Sequence, residues 1–335
     1  MLYSGMAKIS VLELGRVREG GDSGQALKEA GVLAKHLEEL EVFERIWVAE
    51  HHNMPAVTTA ATSVVVGYLA AQTKKIRVGA GGIMLPNHAP YIIAEQFGTL
   101  HALFGDRIDL ALGRAPGTDP MTLRALRRNE TASDHFPQDV LELQAYLQPA
   151  TPFQKIQAIP GEGSNVPLWI LGSSHFGAAL AAELGLPYGF ASHFAPQMLE
   201  SALQIYRTKF KPSSQLSKPY VLIGVNVVIG ESDAEAAWLA TSQEQSFLSM
   251  IRGKRTVLGP AVEDMDALWM PHEKAHVMKM LSCRAVGSRE TVAKELKKLQ
   301  QNTQADELMV VTDLFDFGKR LESFDRLAGI IETWS

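Results

Sequence analysis

The chain has 335 residues, 46% of them hydrophobic and 21% charged, with 32 basic against 37 acidic side chains and a formal net charge of -5. Phosphate-backbone binders need a basic face that releases counterions, so this balance argues against a nucleic-acid partner. One cysteine, Cys283, excludes an internal disulfide, and the absence of CxxC or CxxH pairs leaves no predicted metal site; both suit a reducing cytoplasm.

In chain order, Met1 to Ser10 show no cationic segment followed by an apolar run, so no export signal is expected. Short apolar runs rich in β-branched residues predict strands over Lys8–Glu13, Arg45–Ala49, Ile76–Gly82, Arg107–Leu112, Pro167–Leu171, Tyr188–Ala191, Tyr220–Ile229 and Glu307–Thr312. Helical patterns fall between and after them: Ser23–Glu41, Thr58–Gln72, Ile92–Leu103, Gln138–Leu147, Phe176–Leu184, Pro196–Phe210, Ala234–Phe247, Arg289–Gln300 and Lys319–Glu332. The longest uncharged stretch, Asn53–Thr73, is diluted by Thr, Ser and Gln and falls short of the ~20 apolar residues that span a bilayer.

Strand followed by helix, eight times over, predicts an α/β protein with a (β/α)8 TIM barrel forming a single domain over residues 1–335. A doubly wound sheet is the alternative fold. Two stretches exceed what barrel loops need: Gly113–Gly163 after the fourth strand and Ile251–Gly287 before the eighth. Both are candidate lids over the C-terminal face, where barrel enzymes carry their sites.

The strand tips hold the candidate chemistry. The second, in IWVAEHHN, delivers Glu50, His51 and His52; alternation lets one histidine face the mouth while its neighbour packs behind. A histidine there can donate or accept a proton near neutrality. The third tip carries Gly79, Gly81 and Gly82, which mark a bulge or the close approach of a flat ligand. The fourth presents Arg114 between Gly113 and Pro116-Gly117, a planar cation for phosphate or carboxylate, or an ordinary ion-pair partner. The fifth gives Gly172, Ser173 and Ser174 ahead of a helix, a turn that can bind an anion or simply cap the helix. Arg114 on the neighbouring tip would complete a phosphate site.

Taken together, WVAEHHN at 47–53, GAGGIMLPNHAP at 79–90, IIAEQFGTL at 92–100, FGDRIDLALGRAPG at 104–117, PLWILGSS at 167–174 and GLPYGFASHF at 185–194 resemble the bacterial luciferase-like monooxygenase family. The resemblance covers nearly the whole chain, and it is the combination of motifs that is specific. It implies FMN at the strand ends, its phosphate held by Arg114 and Gly172-Ser173-Ser174 and its ring on Gly81-Gly82, with His51 as the catalytic histidine. It further implies that O2 and a small organic substrate such as an aldehyde are consumed, and that a separate NAD(P)H-dependent reductase supplies reduced FMN. Light-emitting members have a cysteine where this chain has Gly113, which argues against light emission.

Two readings compete. Relatives on this scaffold use a deazaflavin to move hydride without oxygen, and a flavin site alone is compatible with a non-catalytic flavin-binding protein. A metal-dependent hydrolase fits less well, because His51 and His52 are adjacent rather than spaced as strand ligands. The helix over 58–72 is apolar nearly all round, with Ala60, Ser63, Gly67 and Ala71 in one small-residue stripe, which predicts a homodimer through this helix.

Overall fold

The computed structural model describes residues 6–115 and 118–334, apart from the side chain of Glu130. Met1–Gly5 of the N-terminal segment, Pro116 and Gly117 beside Arg114, and Ser335 lie outside the described residues. The strands are β1 (Lys8–Glu13), β2 (Arg45–Val48), β3 (Arg77–Met84), β4 (Ile108–Gly113), β5 (Leu168–Gly172), β6 (Tyr188–Phe190), β7 (Val221–Ile229), β8 (Arg284–Gly287) and β9 (Glu307–Val311). All pairings are parallel; β1 to β7 run in order, β9 lies between β7 and β1, and the β6–β7 ladder closes the ring. The result is an eight-stranded (β/α)8 barrel.

The helices are α1 (Ser23–Glu39), α2 (Thr62–Gln72), α3 (Pro90–Phe104), α4 (Pro120–Ala125), α5 (Phe136–Leu147), α6 (His175–Leu184), α7 (Leu199–Lys209), α8 (Asp233–Ile251), α9 (Pro271–Met280), α10 (Arg289–Thr303) and α11 (Phe317–Glu332). Three features depart from expectation. The helix expected over 58–72 starts only at Thr62, because the hydroxyls of Thr58 and Thr59 donate to the carbonyls of Gly15 (2.9 Å) and Leu14 (3.3 Å) and tie the preceding turn to the β1 loop. The stretch before β9 contains α9 and the short strand β8, which stands outside the ring and extends the sheet beside the C-terminal half of β7.

The barrel is filled from below. At its N-terminal end Arg45 donates to Glu307 (2.9 and 3.3 Å) and Asp109 (2.6 Å), with Tyr220 on Glu307 (2.8 Å) and Arg77 on Asp109. Above this buried ionic plug lies an apolar layer of Leu12, Trp47, Ala111, Trp169, Leu222 and Met309, in which the two indoles meet edge to face at 5.0 Å. Only the C-terminal mouth is left for chemistry. Among the described residues no helix is long and apolar enough to cross a membrane.

Candidate active site at the barrel mouth

Arg45, Trp47 and Ala49 share the interior side of the β2 segment, and His51 is the next residue on that side. Glu50 points away from it and is fully buried. His52 and His88 both donate Nε2–H to its Oε1, at 2.7 and 2.8 Å, and the Met84 amide donates to Oε2 at 3.2 Å. Burial works to raise this carboxyl, but the hydrogen bonds from His52 and His88 outweigh it and hold it at about 2. An ionised carboxylate only accepts, so both Nε2 atoms carry hydrogen. The three ligand atoms lie within 4.8 Å of one another, close enough for a cation, yet hydrogen bonding already satisfies them.

His51 is different. Its Nδ1 is buried and has no hydrogen-bond partner among the described residues. Burial first, and then the charge of Arg16, push its pKa down, with Glu50 pulling the other way. Arg16 itself lies 3.4 Å from Asp313 and donates to the Ser246 hydroxyl at 2.6 Å, so that cation is neutralised within the mouth.

On β3 the register shifts between Gly81 and Ile83, and the Gly81–Gly82 peptide is cis. A Cβ on Gly81 would lie 2.8 Å from Trp47 and 3.1 Å from Leu12, and one on Gly82 would fall on the Ala111 carbonyl. The barrel wall therefore requires both glycines before any ligand is considered.

At the neighbouring tips Gly113 of β4 pairs with Leu171 of β5, so Arg114 and Gly172 emerge side by side. The Arg114 side chain is exposed, stacks over the Phe176 ring with 4.2 Å to its centroid, and has no hydrogen-bonded or ionic partner among the described residues. Phe176 is the second residue of α6, whose N-cap Ser174 makes no side-chain capping bond. An unpaired guanidinium thus stands at a helix N-terminus with free amides, flanked by Gly172, Ser173 and Ser174. The donor set fits a phosphate dianion.

The two long stretches meet over the β2 loop. Asp119, the N-cap of α4, accepts from Asn53 Nδ2 (2.8 Å) and Arg255 Nη2 (3.1 Å), while Arg255 Nη1 donates to the Asn53 carbonyl (2.5 Å). The bond from Asn53, then those from the Thr122 amide and Arg255, hold the Asp119 carboxyl well below the usual range. Sequence reasoning missed this latch, the role of His88, and His193, a half-buried residue after β6 whose buried Nδ1 also lacks a partner among the described residues. None carries a local motif, since each depends on residues more than thirty positions away.

Fold and site define a (β/α)8 barrel with a Gly-Ser-Ser turn and an exposed arginine at the neighbouring tips of its fifth and fourth strands and an interior histidine at the second. The chain belongs to the luciferase-like monooxygenase family, whose model matches residues 7–306. It is 46% identical over 317 residues, 94% of each chain, to an Escherichia coli (strain K12) protein named luciferase-like monooxygenase. It is 48% identical over 323 residues, 96% of each chain, to the Bacillus subtilis (strain 168) protein YvbT. Among solved structures, apo-MsnO8 superimposes with a TM-score of 0.88 at 34% identity, covering 98% of this chain and 99% of that one. The same fold at 15% identity occurs in the oxygenating constituent of 3,6-diketocamphane monooxygenase from Pseudomonas putida, in complex with FMN (TM-score 0.74, 98% of each chain). It also occurs, at 15% identity, in an F420-dependent secondary alcohol dehydrogenase (TM-score 0.70, 97% of this chain and 99% of that one). Structural neighbours therefore bind either FMN or F420.

Proposed function

We propose that this protein is an FMN-dependent monooxygenase that takes reduced FMN from a separate NAD(P)H-dependent reductase and uses O2 to oxidise a small organic substrate, with an aldehyde as the simplest case. One oxygen atom enters the substrate and the other leaves as water, the electrons coming from the reduced flavin. The observation that carries the reading is the unpaired Arg114 cation stacked at the open N-terminus of α6, beside Gly172, Ser173 and Ser174. These residues hold the phosphate, the Gly81-Gly82 edge backs the ring, and His51 manages a proton at its imidazole. The filled barrel keeps water from entering beneath.

On this reading the chain is one barrel domain over 1–335, working in the cytoplasm with its single, buried thiol reduced. It pairs with a second copy through α2, whose solvent face shows Val64 (70% exposed), Tyr68 (37%) and Ala71 with no charge to keep it wet. The deazaflavin reading draws on the F420-dependent neighbour. Binding of FMN and F420 to the purified protein, with O2 uptake measured after chemical reduction of each, separates the two. FMN binding with aldehyde-dependent O2 uptake is expected; F420 binding with no O2 uptake overturns the proposal.

A further inference from the structure

One cavity lies apart from the barrel mouth. Its volume is about 540 Å³, within the ~300–1,000 Å³ span of small-molecule sites, and its walls come from α8, α9, α10, β8 and the segment 264–269. No residue assigned to the mouth lines it. The room exists because α8 turns Ala237, Ala240 and Glu244 toward it at helical spacing, and the two alanines leave space that larger side chains would close. On either side stands an apolar cluster. Ala240, with Val286 packed against its cluster, belongs to one; Met265 and Trp269, with Met278, belong to the other. Interiors normally close such a gap to crystal-like density, so the space between these clusters suits an apolar body.

The charged groups of the wall constrain the other end of an occupant. Arg284 of β8 pairs with the buried Glu244 at 2.8 Å. At the rim, Lys274 Nζ and Trp269 Nε1 both donate to Asp266 Oδ1, at 2.7 and 2.6 Å. Each cation of the wall thus already sits on a carboxylate. Two further carboxylates, Asp264 and Glu295, have no ionic partner among the described residues, so four acidic groups against two basic ones leave the cavity with a net charge of -2. An anion is repelled by this balance and a cation is drawn in. Of the two, Asp264 is exposed and accepts the Asp266 amide, whereas Glu295 is half-buried on α10, one turn after Thr291, where water screens its charge less.

We propose that this cavity is a second small-molecule site, which takes an organic ammonium compound: its apolar body fills the gap between the two clusters, and its cationic group pairs with Glu295. The site goes beyond the monooxygenase reading and does not depend on it, because it shares no residue with the mouth.

The test is NMR of the indole N–H groups in protein labelled with 15N-tryptophan, titrated with three probes of one shape: 2-phenylethylamine as the cation, 2-phenylethanol as the uncharged compound and 3-phenylpropanoate as the anion. The Trp269 signal among the five tryptophans is assigned by its loss in Trp269→Phe, or by its shift in Asp266→Asn if that variant does not fold. The amine should move this resonance saturably, the alcohol should bind at least roughly tenfold more weakly, and the anion should leave it in place. Glu295→Gln should weaken the amine about tenfold without changing the alcohol, and Ala237→Phe, which fills the cavity from the exposed side of α8, should abolish the shift. A Trp269 resonance that the amine does not move at about 10 mM, that alcohol or anion moves as readily, or that responds unchanged in Glu295→Gln overturns the proposal. The titration is run without FMN, so failure of the cofactor reading would leave its outcome intact.

Discussion

The Arg114 guanidinium lies over the Phe176 ring, 4.2 Å from its centroid, held by an aromatic face where most surface arginines find a carboxylate. The contact fixes the cation at the start of α6 without neutralising it, which leaves its charge for an incoming anion.

Arg114→Ala should therefore weaken FMN binding by roughly 10- to 150-fold, the equivalent of about 1.5–3 kcal/mol for one charge-assisted contact. Riboflavin, which lacks the phosphate, should bind the variant almost as well as the wild type. Flavin fluorescence titrations with both ligands check this, and equal losses for the two would show that Arg114 does not hold the phosphate.

His51 and His52 should separate by readout. His51 faces the barrel interior with a free Nδ1, whereas His52 is committed to Glu50, so His51→Ala should lower turnover by about a hundred- to ten-thousandfold with FMN affinity nearly intact. His52→Ala should mainly lower thermal stability, because it removes one of three donors from a buried carboxylate. Steady-state kinetics beside melting curves distinguish the pair, and a fully active His51→Ala enzyme would end its assignment.

The barrel strands were readable because each is a short β-branched run between turn signals, and their tips followed from the alternation of the pleat. The segment Arg284–Gly287 was not, since its four residues pair only with the end of β7. Nor was α9, whose sequence PHEKAHVMKM buries a single residue, Val277, and so shows no apolar stripe. In the site, the EHHN run announced a histidine at the mouth, but nothing local to Ser192 or His193 reveals that Gly224, on another strand, clears the space for that ring. The third-strand glycines suggested a ligand, while packing against Trp47, Leu12 and Ala111 accounts for them by itself.

Acid should weaken the fold in two stages. His193 sits at about 4 against an ordinary 6.5, so between those values the unfolded chain binds more protons than the folded one and stability falls as pH falls. Glu50, at about 2 against 4.5, continues the loss below pH 4.5. The titratable group acting on His193 is His51, on which Arg16, Glu50 and His52 act in turn. In His193→Gln the drop in Tm between about pH 7 and 4.5 should be smaller by roughly 2–4 °C. Calorimetry across that range checks it, and superimposable profiles would contradict a neutral buried His193.

Breaking the latch between the two long stretches should loosen them without harming the barrel. Arg255 is substantially exposed, so its pair with Asp119 adds little to global stability and Arg255→Ala should leave Tm within about 2 °C. Amide exchange over the Asp119 and Arg255 segments should nonetheless quicken several-fold, as expected of a local opening. Unchanged exchange would mean that other contacts hold these segments over the mouth.

The last prediction concerns pairing through α2. The helix presents a charge-free outer face in which Val64 is 70% exposed and Tyr68 37%. Apolar helix faces are seldom left to water, and a symmetric dimer covers such a face by meeting itself. Gly67 would be a poor place to test the contact, because even a Cβ there comes within 3.2 Å of Leu100 and would disturb packing inside one chain. Val64 has no such inward constraint. Val64→Glu should place two like charges near the dimer axis and yield a monomer with an unchanged far-ultraviolet spectrum and intact FMN binding, as read by sedimentation velocity. Wild-type protein that already sediments as a monomer at micromolar concentration would rule the dimer out.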